Sequence, residues 1–372
     1  MKRKYFTSCL VLLTALTVLL TGCGTGSSAG SKANTNEKVS FDNVPKRFAK
    51  GQGAKIKVIR KIGGDDHTAQ FLAGTKAEGE ALGFTVDVYT ANGDTAKFHD
   101  AISQALEENY DGFIISHGDD DATVADVKKI TAKGIPVVAF DSNPKLKDIK
   151  GVTVTSQDDE QLAKKSLDAL VSDFKGKANI AYLWVDGFPP MVRRNKVYQE
   201  TLKQHSGIKE LDRFGIASSD TSVQTQNAVA AMLNKYPKGK LDAIFATWDA
   251  FAIGAARALK EAGRTEVKIY GIDVSNADLQ EMTAKDSPWK YTAAVDPKLI
   301  GAVDVRILAK KIAGEKTPSS YDLEASLISQ KQLQQAGKAI NMVNLADEVK
   351  GFGSSTAFEE DWMKTLKKHY TK

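Results

Sequence analysis

The chain has 372 residues, of which 42% are apolar and 26% charged, and its formal net charge is +5. About 320 residues remain once an N-terminal export signal and its tether are set aside. This is more than one hydrophobic core usually holds, so we expect two lobes. Loss of the three basic residues in the signal leaves a charge of +2, which argues against a nucleic-acid partner, since such a partner requires a basic stripe.

The first 22 residues have the layout of a secretory signal peptide. Basic residues 2–4 precede an apolar run over 9–20, which is too short to cross a membrane comfortably. The following Leu-Thr-Gly-Cys, which ends at Cys23, resembles the lipobox of bacterial lipoproteins. We therefore expect cleavage before Cys23, lipid attachment at Cys23 and anchoring on the extracytoplasmic face of the cell membrane. The alternatives are a transmembrane anchor and an ordinary cleaved signal with a chance cysteine.

Cysteine count and motif content argue against catalysis. Cys9 leaves with the signal, so the mature chain keeps only Cys23 and has no disulfide or cysteine nucleophile. Nucleophile-elbow and phosphate-loop motifs are missing, and no zinc-binding histidine spacing occurs. We predict no catalytic residue, no metal and no cofactor. A cleft hydrolase remains the catalytic alternative, because paired carboxylates are present.

From residue 55 onward, β-rich runs alternate with amphipathic helical runs. The first series predicts strands over 56–62, 85–89, 112–116 and 136–140, with helices near 67–82, 95–108 and 122–133. A second series predicts strands over 180–185, 213–217, 243–247 and 268–272, with helices near 192–204, 223–235 and 250–262. A strand over 291–295, a helix over 297–313 and a strand over 327–329 follow. Such alternation indicates parallel sheets covered by helices on both faces.

The two series resemble each other in detail. The segment 111–117 has its counterpart in 242–248, and Asp141 and Asp273 follow at matching distances, each at the end of a strand. We therefore predict two similar α/β lobes. The expected boundaries are a flexible tether over 23–50, an N-terminal lobe over 51–154 plus 297–322, a C-terminal lobe over 155–296 plus 323–334, and a helical tail over 335–372.

Ligands of open parallel sheets bind beyond the carboxyl ends of the strands. This rule selects the following candidate ligand contacts: Asp65, His67, His117, Asp141, Arg194, Trp248, Asp249 and Asp273. Asp66 and Ser116 lie next to them in the sequence and are selected by the same rule. Carboxylates and an arginine fork suit the hydroxyls of a sugar or polyol, and an indole offers a flat apolar face. An amine held by the carboxylates and by a cation–π contact is the competing ligand. Helix capping and core packing are the structural alternatives for these residues.

The segments 133–141, 241–255, 256–263 and 295–301 resemble the type I, ribose-binding-protein-like family of periplasmic sugar-binding proteins. The resemblance implies two doubly wound parallel-sheet lobes, joined by a hinge of three crossovers, that close on a sugar. It places Asp141, Arg194 and Asp273 where the family binds hydroxyls. Departures from the family pattern are His67 and Thr68 in place of aromatics, and Ser142, Trp248 and Val295 elsewhere, which favour a ligand other than ribose.

The combined interpretation is an exported, lipid-anchored receptor, acting as a monomer, that hands a sugar or polyol to an ABC transporter permease. The runner-up is a sensory receptor that presents bound sugar to a membrane histidine kinase. The sequence does not separate them, because the docking surfaces on the outside of the lobes carry no motif.

Overall fold

The computed structural model of the protein describes residues 40–64, 66–218 and 220–371. The expected signal, the lipid-attachment residue Cys23, most of the expected tether and the candidate ligand contact Asp65 lie outside the described residues. Within those ranges, none of the helices combines the length and apolar content that a membrane crossing requires.

The described part of the chain contains twelve strands and twelve α-helices. The strands are β1 (Lys55–Arg60), β2 (Thr85–Thr90), β3 (Gly112–Ser116), β4 (Val137–Phe140), β5 (Val152–Gln157), β6 (Lys177–Leu183), β7 (Gly207–Phe214), β8 (Ala243–Ala246), β9 (Lys268–Ile272), β10 (Trp289–Ala294), β11 (Ser320–Leu323) and β12 (Ser326–Ser329). The helices are α1 (Asp66–Ala81), α2 (Thr95–Ala105), α3 (Asp121–Ala132), α4 (Asp159–Asp173), α5 (Pro189–Gln204), α6 (Thr221–Lys235), α7 (Asp249–Glu261), α8 (Asn276–Thr283), α9 (Pro297–Ile312), α10 (Gln330–Gln335), α11 (Leu345–Glu348) and α12 (Asp361–Tyr370).

The strands form two six-stranded sheets with the same order. The N-lobe sheet runs β11-β5-β4-β3-β1-β2 and is parallel throughout. The C-lobe sheet runs β12-β10-β9-β8-β6-β7 and is parallel except for β12, which pairs antiparallel with β10. Apart from the edge strands β11 and β12, the strands of each sheet follow the doubly wound 2-1-3-4-5 order. The predicted fold class of two similar doubly wound α/β lobes is confirmed.

The chain passes between the lobes three times. After β5 it enters α4, which packs against β9 and β10; after β10 it returns through α9, which packs on α1, β3 and β4. The third passage joins β11 to β12. Sheet membership extends the first segment of the N-lobe to Gln157 and its second segment to Leu323, slightly beyond the expected boundaries at 154 and 322.

Strand β5 was missed by the sequence pattern because its Val-Thr-Val-Thr-Ser-Gln composition mixes polar and apolar residues. Thr153 and Thr155 are nevertheless fully buried. The Thr155 hydroxyl donates to Asp304 Oδ1 at 2.8 Å, and the Thr153 hydroxyl donates to the Pro318 carbonyl. Burial of these hydroxyls is tolerated because each one is hydrogen-bonded.

The expected flexible tether ends earlier than residue 50. Val44 and Phe48 are 7% and 1% exposed, and the Phe48 ring centroid lies 5.1 Å from that of Phe84 and 5.4 Å from that of Trp362. These apolar side chains share one side of the segment and pack against the N-lobe. The tether prediction is therefore corrected for the last part of its range, residues 40–50.

The segment expected to be a helical tail, residues 335–372, is partly helical, and its apolar side chains pack against the cores of the lobes. It contains two helices, α11 and α12, joined by turns. Residues 342–370, which we call the strap, contact the C-lobe core first and the N-lobe core afterwards. Its buried apolar residues are Met342, Leu345, Val349, Phe352, Trp362, Met363 and Leu366.

Asp158 caps α4 at the first passage between the lobes, and its side chain accepts a hydrogen bond from the Gln161 amide at 2.9 Å. We expect Asp158→Ala to lower the free energy of unfolding by about 1 kcal/mol, because one amide of the first turn loses its partner. Asp158→Asn keeps an acceptor and should match the wild type. Urea denaturation of the three proteins measures this, and an equal loss in both variants would contradict the capping role.

Candidate functional site

The candidate contacts lie at the carboxyl ends of the strands, where the two sheets have matching switch points. In the N-lobe sheet β1 and β3 are neighbours, and in the C-lobe sheet β6 and β8 are neighbours. At such a switch point adjacent loops diverge and leave room for a ligand. His117, Asp141 and Asp273 each follow a strand directly and have φ values of 62°, 43° and 74°. These left-handed conformations turn the chain sharply at the edge of the sheet.

A buried arginine organises the N-lobe side of the site. Arg60, the last residue of β1, is fully buried and its Nη1 donates to Ser116 Oγ at 2.8 Å. Its Nε donates to Thr68 Oγ1 at 3.0 Å, and its Nη2 lies 3.0 Å from His67 Nδ1. Arg60 therefore orients His67 at the start of α1, while Ser116 Oγ lies 2.8 Å from His117 Nδ1.

His67 and His117 both contact Phe140 at the end of β4. The His67 ring is stacked on Phe140 at a centroid distance of 6.2 Å, and the His117 ring meets it edge-on at 5.6 Å. Burial, together with the Arg60 guanidinium, lowers the pKa of His117 well below its usual range. Neutral His117 therefore serves as a hydrogen-bonding group rather than as a charge.

Asp141 faces the opposite lobe. Its amide donates to the Thr155 carbonyl at 2.9 Å, and no donor among the described residues reaches its carboxylate. Burial raises the pKa of Asp141 to about 7, with a further rise from Asp159 and opposing effects from Arg193 and other arginines. Asp159 and Arg193 belong to C-lobe helices, so Asp141 senses charges across the cleft.

Arg194 is the centre of a buried ion network on the C-lobe side. The side chain is 3% exposed, and its Nε donates to Asp159 Oδ1 at 2.9 Å. Nη1 donates to the Thr247 carbonyl at 2.6 Å and to Asp273 Oδ2 at 3.1 Å, while Nη2 donates to Asp273 Oδ1 at 3.3 Å. Four of its five N–H groups are thus used by described residues, and one N–H at Nη2 has no hydrogen-bond partner among them. Arg194 acts first as the residue that positions Asp273.

Trp248 and Asp249 begin α7 at the end of β8. The Trp248 ring lies edge-on to Phe251 at 5.7 Å and packs partly against the C-lobe core. Its indole therefore combines core packing with a partly exposed face. Asp249 Oδ1 accepts from the Ala250 amide at 2.7 Å, and burial, followed by the negative charge of Asp273, raises the pKa of Asp249 to about 7.

Asp278 is a functional candidate that the sequence did not single out. It is fully buried in the first turn of α8, and neither carboxylate oxygen has a hydrogen-bond partner among the described residues. Burial, followed by the negative charge of Asp249, raises the pKa of Asp278 well above its usual range. A protonated Asp278 avoids an unpaired charge in the C-lobe core.

The raised pKa of Asp278 makes a pH-dependent prediction. Since the unfolded chain ionises this carboxyl at lower pH than the folded protein does, stability falls as the pH rises above the unfolded pKa toward the folded pKa. We expect Asp278→Asn, which stays neutral at every pH, to raise the melting temperature at pH 8 more than at pH 5. Differential scanning calorimetry measures this, with the exposed Asp100→Asn as the matched control. Equal shifts at both pH values would contradict a raised pKa at Asp278.

The structure brings the candidates together in two groups, one in each lobe. His67, His117 and Asp141 surround Phe140, and Arg194 and Asp273 are bridged in the C-lobe with Asp249 and Trp248 nearby. Asp66 belongs to neither group: its Oδ2 accepts a hydrogen bond from the Asn276 amide of the C-lobe at 3.0 Å. Among the described residues, no group of three or more acidic, histidine or cysteine side chains is arranged to hold a metal ion.

Sequence reasoning missed four residues of this site: Arg60, Asp159, Asn276 and Asp278. Arg60 had a detectable signal, since it is a charged residue at the end of an otherwise apolar strand. Asp159 had none, because the preceding strand β5 was not predicted.

Comparisons with known proteins show what this chain is similar to. The sequence model of the family described as the periplasmic binding protein domain matches residues 56–316. A sugar ABC transporter protein from Yersinia enterocolitica subsp. enterocolitica 8081 is 51% identical in its crystal structure, with a TM-score of 0.75, covering 88% of this chain and 98% of that one.

Two further relatives have named ligands or roles. The solute-binding protein of a 5-methylthioribose transporter from Thermotoga lettingae, solved with 5-methylthioribose, is 32% identical with a TM-score of 0.74; the match covers 87% of this chain and 99% of that one. A ribose import binding protein from Salmonella typhimurium is 25% identical over 260 residues, covering 68% of this chain and 83% of the relative.

Proposed function

The chain belongs to the periplasmic binding protein family, and on that premise we propose that it captures a sugar or polyol between its lobes and delivers it to an ABC transporter permease. The observation that supports this most is the placement of the Arg194–Asp273 bridge in one lobe and the unpartnered Asp141 carboxylate in the facing lobe. Carboxylates accept hydrogen bonds from hydroxyls, and the remaining Arg194 N–H donates to an oxygen.

These groups are sufficient for the affinity that solute capture requires. Charge-assisted hydrogen bonds contribute about 1.5–3 kcal/mol each. Three or four of them, after the loss of ligand freedom, correspond to a dissociation constant in the micromolar range, about −8 kcal/mol.

Apolar side chains beside the site favour a sugar with an apolar substituent. Phe188 and Val192 are 49% and 50% exposed at the start of α5, the helix that carries Arg194. The partly exposed Trp248 lies at the same edge of the C-lobe sheet. Since a relative with 32% identity was solved with 5-methylthioribose, we propose a pentose bearing a thioether as the first ligand to test.

Thermal-shift and calorimetric titration of the mature protein test the proposal. The panel contains 5-methylthioribose, ribose, xylitol and allose, with an amine such as putrescine as the competing class. We expect a sugar to raise the melting temperature and to bind with micromolar affinity. Stabilisation by the amine alone, with no response to any sugar, would contradict sugar capture.

Delivery to a transporter is favoured over sensing, because the relatives are named as import or transporter proteins. Deletion of the gene should abolish uptake of the identified radiolabelled sugar, and the wild-type gene should restore it. Unchanged uptake in the deletion strain would count against a transport role.

We also propose that lipid attached to Cys23 anchors the protein on the extracytoplasmic membrane face and that it acts as a monomer. The Leu-Thr-Gly-Cys sequence supports the lipid anchor, and two acyl chains are sufficient for stable anchoring. Cys23→Ala should abolish labelling with an alkyne analogue of palmitate and release the protein from membranes. Light scattering of the Cys23→Ala protein measures its oligomeric state.

A further inference from the structure

A hydrogen bond joins the two lobes directly across the cleft. The Asn276 amide, at the start of α8 in the C-lobe, donates to Asp66 Oδ2, at the start of α1 in the N-lobe, at 3.0 Å. Asn276 lies three residues after the candidate ligand contact Asp273. The bond is favourable because the carboxylate accepts a hydrogen bond from one of the amides that the first turn of a helix leaves without a partner.

The side chain of the same asparagine holds the beginning of the strap. Asn276 Oδ1 accepts from the Met342 amide at 2.9 Å. Beyond Met342 the strap packs into the C-lobe core through Leu345, Val349 and Phe352. Asn276 therefore connects three parts of the molecule: the N-lobe through its backbone, the strap through its side chain, and the ligand site through its loop.

The strap then crosses the hinge and attaches to the N-lobe. A side chain at Gly353 would lie 2.5 Å from Asp296 Oδ2 in the second passage, so the strap follows the hinge closely. Arg306 Nη1 donates to the Ser355 carbonyl at 2.7 Å, and Lys367 Nζ lies 2.7 Å from Glu78 Oε1. The strap is thus a fourth connection between the lobes.

A groove of about 580 Å³ separates the first part of the strap from the N-lobe. Gly74, Ala77 and Lys298 border it on one side, and Met342 and Val343 border it on the other. An opening of the hinge would move these two sides relative to each other. Any opening at the cleft also separates Asp66 from Asn276, so strap position and cleft closure change together.

We propose that Asp66 and Asn276 form a latch that holds the lobes closed, and that the strap sets the strength of this latch by fixing Asn276. The proposal rests on the proposed capture of a sugar, because latch strength then controls how long the sugar stays bound. A ligand held by a closed cleft leaves only after the latch breaks.

The test compares Asp66→Ala, Asn276→Ala and the double variant, with the exposed Asp100→Ala as control. Asp66→Ala removes the acceptor, whereas Asn276→Ala keeps the amide that donates to Asp66 and removes only the attachment of the strap. We expect the sugar dissociation rate, measured by stopped-flow tryptophan fluorescence, to rise about tenfold for Asp66→Ala. Asn276→Ala should give a rise of about threefold, and the double variant should equal Asp66→Ala alone.

Hydrogen–deuterium exchange supplies a readout that does not require a known ligand. Asp66→Ala should accelerate exchange at the Asn276 amide, and Asn276→Ala should accelerate it at the Met342 amide and at the backbone amide of position 276. Unchanged exchange and dissociation in Asp66→Ala would overturn the latch, and additive effects in the double variant would overturn its coupling to the strap. If no sugar binds, the proposed function fails, while exchange in the ligand-free variants still supports or overturns the latch.

Discussion

Replacement of Arg194 by alanine is expected to abolish high-affinity ligand binding and to lower the free energy of unfolding by about 3–5 kcal/mol. The guanidinium is 3% exposed and bridges Asp159, which is 2% exposed, to Asp273. Its removal takes one of two arginine partners from the buried Asp159 and leaves the Asp273 carboxylate, which would accept ligand hydroxyls, without the donors that hold it. Urea denaturation and calorimetric titration with the identified sugar measure the two effects.

Arg193→Ala is the matched control, because Arg193 has the same partner but a different environment. Its Nε donates to Asp159 Oδ2 at 2.9 Å, while its side chain is 40% exposed. Partly exposed ion pairs contribute about 0–1 kcal/mol, so we expect a small loss of stability and little loss of affinity. Similar losses of stability and affinity in the two variants would contradict the expectation that burial makes the Arg194 ion pair the stronger one.

Replacement of Asp141 is expected to weaken binding about tenfold at pH 8 and to remove a pH dependence. Since burial raises the pKa of Asp141 to about 7, the carboxyl is mostly protonated at pH 6 and mostly ionised at pH 8. Ligand hydroxyls bind the ionised form, so wild-type affinity should rise about tenfold between these pH values. Asp141→Asn should show a flat profile in calorimetric titrations.

Asp249 titrates in the same range, because burial and Asp273 raise its pKa to about 7. The Asp249→Asn variant separates the two carboxyls: it should retain the wild-type dependence of affinity on pH, which we assign to Asp141. The stability of the ligand-free protein changes in the opposite direction, falling as the pH rises from about 4 to 7, since the folded state holds these protons more tightly. An unaltered affinity profile in Asp141→Asn would contradict the assignment.

Several elements could be predicted because their signals are local. Strands β3 and β9 have the predicted bounds, since each is a short apolar run followed by polar residues. Asp141 and Asp273 lie at strand ends with left-handed backbone conformations, as their matching positions in the two series indicated. Strand β7 is less regular and spans Gly207–Phe214 rather than 213–217, because its edge position requires little apolar character.

Other features depend on contacts that have no local signature. Helix α4 was not predicted, although it supplies Asp159 to the ion network and begins the C-lobe. The packing position of the tail has no local signature either, since Trp362 packs against Phe48 near the other end of the described chain. The burial of Asp278 likewise follows from the packing of α8 rather than from its sequence.

The sequence by itself determined the doubled α/β pattern, the two lobes and the strand ends at which ligand contacts cluster, because hydrophobic periodicity specifies these features within short segments. Only the tertiary structure decided which charges are paired and which stay available to a ligand. Arg194 meets Asp159 from 35 residues away, and Asn276 meets Asp66 from 210 residues away. The first pair forms only when α4 and α5 pack together in the C-lobe, and the second only when the two lobes meet. The energy of a buried charge such as Arg194 therefore depends on the assembled fold.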